Sequence, residues 1–145
     1  GSITLWRVND MALLYENSPP EALRRRAILI VDDEELQRNQ LVDCLSDLDV
    51  VIFQAGNGAE ALEIIDDQTP SLVIMDIRMP VMDGVTTVDE LSNRVSDMKI
   101  ILMTGDPMSL EAAYKRRPDV FTIIEKPLPL RVLRRFVIEA LGLGA

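Results

Sequence analysis

The stretch LVIMDIRMPVMDG, residues 72–84, decides how the rest of the chain is read. Leu72, Val73, Ile74 and Met75 run without a polar break into Asp76. Pro80 then interrupts the chain, and Asp83-Gly84 opens a new apolar-periodic segment. An unalternated apolar run of this length suits a strand buried on both faces, as in a parallel sheet covered by helices. Asp76 then stands where the strand emerges, at the carboxyl edge where open α/β sheets hold their ligands. An aspartate in such a place is ordinarily a helix N-cap. Here no helix can begin until after Pro80, and Asp83 is better placed to cap it. Asp76 is left without a structural task.

Other apolar runs end in the same way. Residues 27–31 (AILIV) lead into Asp32-Asp33-Glu34-Glu35, residues 100–103 (IILM) into Thr104-Gly105, and residues 120–124 (VFTII) into Glu125-Lys126-Pro127. Four strands thus deliver a paired acid, a lone acid, a hydroxyl and an ammonium at one end of a sheet. In these residues the chain resembles the receiver domains of two-component response regulators: Asp32-Asp33 after the first strand, Asp76 with its DIRMPVMDG turn, Thr104, and Lys126-Pro127. Each motif is weak alone; their order and spacing together are specific. The resemblance covers roughly residues 26–141, so the chain divides into an N-terminal arm and linker, residues 1–25, and a receiver domain, residues 26–145.

Composition sets the outer limits. A chain of 145 residues, 48% hydrophobic and 27% charged, is long enough for one domain with a single core. Its apolar runs fall far short of the roughly 20 residues that cross a membrane. Asp10 and Glu16 break up the N-terminal apolar residues, so nothing there reads as a secretory signal, and Gly1-Ser2 reads as the scar of a cleaved tag. The single Cys44 excludes an internal disulfide and suits a reducing, cytoplasmic setting. A net charge of −9 argues against nucleic-acid binding by this piece alone. The absence of histidine removes His-based acid/base catalysis and His metal sites. It also means that the chain carries no phosphohistidine, so any phosphate must come from another protein or a small donor.

In chain order, Leu5, Val8, Met11, Ala12 and Tyr15 fall at helical spacing and predict an amphipathic helix over residues 3–16. Trp6, Leu5, Val8, Met11, Leu13 and Tyr15 would make it too apolar to stand alone in solvent, which predicts docking on a second copy of the chain as a homodimer. Arg24-Arg25-Arg26 reads as a solvated linker. Helices are predicted at about 34–48, 59–67, 85–95, 110–116 and 130–141, and a further strand at 50–54. Leu41, Cys44, Leu45 and Leu48 form the inward face of the first helix. Strand and helix alternate five times, which argues a parallel α/β sheet. The flavodoxin-like, doubly wound order 2-1-3-4-5 comes from the resemblance.

Carboxylates converging at one sheet edge repel, and oxygen-only ligands suit magnesium. The resemblance implies that Asp33 and Asp76 bind Mg²⁺ directly, that Asp32 helps through water, and that the backbone carbonyl of Arg78 completes the protein ligands. It implies that Asp76 accepts a phosphoryl group from a sensor histidine kinase or a histidine phosphotransfer protein, with Lys126 and Thr104 steadying the transferred oxygens. Lys126-Pro127 is a candidate cis bond, as the family often has. The switch positions are Thr104 together with Ile123, where receivers usually carry an aromatic residue, and Phe121 two residues earlier. The chain then reads as a signalling module, not a turnover enzyme on metabolites. A degenerate receiver that binds partners without phosphate is disfavoured because every phosphorylation residue is present. A phosphatase of the haloacid dehalogenase type wants a second aspartate two residues after the nucleophile, and Arg78 stands there. The output stays open between a stand-alone phosphate carrier, a hybrid-kinase receiver and part of a larger regulator.

Overall fold

A strand covered on both faces can be apolar throughout, and β2 (Ala27–Val31) and β4 (Leu72–Asp76) are buried at every position. The computed structural model describes residues 2–5, 26–76, 90, 98–105, 121–127 and 129–143, with the side chains of residues 2–5, 121, 123 and 125 outside that description. Besides β2 and β4, the strands are β1 (Ser2–Leu5), β3 (Val51–Ala55), β5 (Lys99–Thr104) and β6 (Phe121–Glu125). The helices are α1 (Glu35–Leu45), α2 (Gly58–Gln68) and α3 (Leu130–Leu141). The sheet runs β1-β3-β2-β4-β5-β6, and the five strands from β2 onward are mutually parallel. Taken by themselves they have the expected order 2-1-3-4-5.

Side chains alternate across a strand, so each apolar run feeds two cores. Leu29, Val31, Phe53, Val73 and Leu102 pack with Ile64 and Ile65 of α2 on one face. Ile28, Ile30, Ile52, Ile74 and Met103 pack with Leu41 and Leu45 of α1 and Leu133 and Val137 of α3 on the other. The α1–α3 pair is clasped at its rim, where the Arg134 guanidinium forks onto the Asp47 carboxylate and donates to the Cys44 carbonyl at 3.0 Å.

Helix ends follow local chemistry. The Asn57 side chain accepts the Glu60 amide at 2.9 Å and caps α2. Gly142, at φ +66°, closes α3, and the Leu143 amide returns to the Ile138 carbonyl at 3.0 Å. α1 stops at Leu45, three residues short of its expected end, so Leu48 packs on the core from the following turn. Cys44, read as an inward residue, is half-buried at the margin, with its thiol on the Leu130 carbonyl at 3.4 Å. The helices expected at 85–95 and 110–116 lie outside the described residues except for Glu90, which is helical and exposed.

The N-terminal arm requires a correction. Residues 3–5, expected in a helix, form β1, antiparallel to β3 with Ser2 opposite Gln54 and Leu5 opposite Val51. The outer edge of β3 offers a row of unpaired backbone groups, and pairing with it outweighs helical periodicity in a segment that begins with β-branched Ile3 and Thr4. The helical signal itself starts only at Leu5. The start of the arm therefore joins the chain's own sheet, and the rest of the predicted helix and its homodimer contact lie outside the described residues. Among the described residues no helix is long and apolar enough to cross a membrane.

Candidate functional site

Parallel strands end on the same side, so β2, β4, β5 and β6 bring Asp32, Asp76, Thr104 and Lys126 to one edge. The register sets Asp76 opposite Met103 and Thr104 opposite Glu125, which holds the strand ends level. Asp32, Asp76 and Thr104 are the buried polar residues of the described core, at 1%, 7% and 0% exposure. Polar side chains are rarely so enclosed without partners, and three at one sheet edge mark a site.

Lys126 reaches across the end of β5 to Asp76. Its Nζ lies 2.5 Å from Asp76 Oδ2, and its backbone amide donates to the Thr104 carbonyl at 2.7 Å. Alternation explains the meeting: Ile74 and Ile124 both face the α1–α3 core, and Asp76 and Lys126 each follow two residues later. The Lys126–Pro127 peptide is cis, as expected. A cavity of about 300 Å³ opens between α1 and α3 beside Lys126 and Pro127, with Leu41, Met103 and Leu133 in its walls.

Asp32 is held by its backbone and by half of its carboxylate. Its amide donates to the Ala55 carbonyl at 3.0 Å, and its Oδ1 accepts the Glu34 amide at 2.9 Å. Its Oδ2 is buried with no hydrogen-bond partner among the described residues. Burial raises the Asp32 carboxyl from the ordinary 3.8 to about 6; the Glu34 hydrogen bond pulls it down, the Asp76 charge pushes it up, and Lys126 and Asp33 add smaller opposed effects. A buried, half-satisfied carboxylate beside a second one is a group that a cation would complete.

The sequence-expected residues separate accordingly. Asp32, Asp76 and Lys126 interact, and Thr104 is tied to Lys126 through the backbone. Asp33 is exposed on the loop, and among the described residues no three acids form a ready-made metal cluster. Arg78 lies outside the described residues, and Phe121 and Ile123 lie on β6 with their side chains outside them. One residue escaped the sequence reading. Arg38 on α1 donates to the Asp32 carbonyl at 2.5 Å and to Gln54 Oε1 of β3 at 3.4 Å. The available signal was its position early in the helix after the acid pair, because helical side chains lean toward the N-terminus.

Comparison with known proteins agrees with this geometry. Residues 28–138 match the family described as the response regulator receiver domain. The chain is 36% identical over 116 residues to the regulatory protein AtoC of Escherichia coli (strain K12), covering 80% of this chain and 25% of that protein. It is 35% identical over 104 residues to the chemotaxis protein CheY of Halobacterium salinarum, covering 70% of this chain and 85% of that one. The solved signal receiver domain of an HD domain-containing protein from Pseudomonas fluorescens Pf-5 superposes with a TM-score of 0.72 at 27% identity, over 83% of this chain and 99% of that one. The chain thus spans about a quarter of the length of AtoC and most of that of CheY. With the paired acid, the lone aspartate, the threonine and the lysine at one sheet edge, this chain belongs to the response regulator receiver domain family of two-component signalling.

Proposed function

We propose that this domain is a phosphoacceptor that takes a phosphoryl group onto Asp76 from a phosphohistidine of a sensor kinase or a histidine phosphotransfer protein. The observation that carries the reading is the Lys126 ammonium 2.5 Å from Asp76 Oδ2, at a strand end with Asp32 close by. In the transfer, an Asp76 carboxylate oxygen attacks phosphorus and the bond from phosphorus to the donor's imidazole nitrogen breaks. The electron pair goes to that nitrogen. The donor histidine lies outside these 145 residues, which contain none. Lys126 neutralises charge on the phosphoryl oxygens, and the Thr104 hydroxyl hydrogen-bonds one of them in the phosphorylated form.

The half-satisfied Asp32 carboxylate fits a hard divalent cation, and Asp32, Asp33, Asp76 and the Arg78 carbonyl would hold Mg²⁺. When bound, the ion supplies positive charge that offsets the crowded acids and the incoming phosphate. The proposed event is self-catalysed acceptance and loss of one phosphoryl group, a signalling step rather than turnover of a metabolite. Incubation with phosphoramidate and Mg²⁺, followed by hydroxylamine, tests the proposal. A hydroxylamine-labile phosphoryl group that forms with Mg²⁺ and fails to form in EDTA supports it. A protein that takes up none with Mg²⁺ present would be the phosphate-independent interaction module instead.

A further inference from the structure

We propose that Arg38 is a positioning residue for the acid loop, fixing the peptide between Asp32 and Asp33 so that both carboxylates are set for a cation. The inference rests on the reading of those two acids as cation ligands. Three bonds define the Asp32 backbone and half of its side chain: its amide to Ala55, its Oδ1 from Glu34, and its carbonyl from Arg38 Nη1 at 2.5 Å. The third orients the plane of the Asp32–Asp33 peptide, and that plane sets where the Asp33 amide and Cα begin. Asp33 is exposed, and among the described residues no hydrogen bond holds its side chain. A fixed peptide is therefore the means by which the loop can aim it.

The guanidinium is itself anchored. Its Nε donates to Gln54 Oε1 on β3, so one planar fork joins the loop after β2 to the neighbouring strand. It also lies over Gly56, where an added Cβ would come within 3.6 Å of Nη1 and 3.2 Å of Glu60 Oε1. Glu60 Oε1 in turn accepts the Gly56 amide at 3.0 Å. The two loops that border the acid edge thus meet at one arginine. Its donors go to a carbonyl and an amide oxygen, and Asp32 Oδ2 keeps no hydrogen-bond partner among the described residues. Groups that orient metal ligands from behind matter nearly as much as the ligands themselves.

Manganese binding to the full chain, followed by the loss of the free-ion paramagnetic resonance signal, tests this. Arg38→Met keeps an unbranched apolar stem and removes the guanidinium donors, and should weaken Mn²⁺ binding about tenfold. Arg38→Lys can donate to the carbonyl but cannot fork to Gln54, and should recover part of that loss. A purely structural arginine would lower the unfolding temperature and leave the affinity of the folded protein unchanged, and equal affinities for wild type and Arg38→Met overturn the inference. Asp33→Ala separates this from failure of the underlying reading: if it too binds as the wild type does, Asp33 is not a cation ligand and the reading on which the inference rests fails. Should Arg38→Met fail to fold, Gln54→Leu removes the other anchor and should also weaken Mn²⁺ binding; no loss there overturns the inference equally.

Discussion

The Lys126 ammonium stands 2.5 Å from Asp76 Oδ2, joining residues fifty apart in sequence on strands that are not neighbours in the sheet. β5 lies between β4 and β6, so the lysine bridges its end, with its own amide fastened to the Thr104 carbonyl. One cation thereby ties three strand ends together at the carboxylate edge.

Replacing Lys126 with methionine keeps most of the packing and removes the cation from a carboxylate that is only 7% exposed. Leaving such a group without its charged partner should lower stability by about 2 kcal/mol, measured by urea unfolding at neutral pH. Phosphoryl acceptance should slow by at least about tenfold, because in the proposed transfer the ammonium also faces the transferring oxygens. Unchanged stability would mean that the ion pair is not maintained in solution.

Asp32 should cost the metal-free protein stability at neutral pH. Its carboxyl is raised from 3.8 to about 6 in the folded state, so folding favours the protonated form. Stability from this group is complete below pH 3.8, falls as pH rises, and is lost above about 6. Two pKa units correspond to about 3 kcal/mol, an upper figure for an isolated carboxyl. In EDTA at pH 8, Asp32→Asn should therefore unfold at a higher temperature than the wild type, and the gain should vanish below pH 4. A variant less stable than wild type at pH 8 would contradict the buried, half-satisfied carboxylate.

Asp33 should behave in the opposite way. It is exposed, so Asp33→Ala should change stability by less than about 0.5 kcal/mol in EDTA. Saturating Mg²⁺ should raise the unfolding temperature of wild type and fail to do so for this variant, since a ligand that binds the folded state stabilises it by mass action. Equal shifts in both proteins would remove Asp33 from the cation site.

The edge strand makes its own prediction. The Val51 amide donates to the Arg26 carbonyl, so alternation points the Phe53 amide the same way and turns the Ile52 and Gln54 amides toward β1. Deleting residues 1–5 should speed hydrogen exchange at Ile52 and Gln54 while leaving Val51 and Phe53 protected. Uniform change along β3, or none, would mean that β1 does not pair there.

Where the sequence was legible, local chemistry decided the structure. The runs at 27–31 and 72–76 suited strands covered on both sides and are such strands, and Pro129 and Gly142 bound α3 at the predicted residues. Asp76, Thr104 and Lys126 were recognisable because each ends an apolar run. Residues 3–5 were misread because β1 depends on a distant partner, the open edge of β3, which no periodicity in residues 3–16 reveals. Arg38 was missed for a related reason. Its partners are a backbone carbonyl and a glutamine on another strand, neither of which marks an arginine as functional by residue type.

The central claim, that Asp76 is the phosphoacceptor, is tested most directly by locating the acyl phosphate. After incubation with acetyl phosphate and Mg²⁺, borohydride converts a phosphorylated aspartate to homoserine, and peptide mass spectrometry reports its position. The account predicts conversion at position 76 alone, and none in Asp76→Asn treated in the same way. Conversion at position 32 or 33 in the wild type, or undiminished labelling of Asp76→Asn, would contradict it.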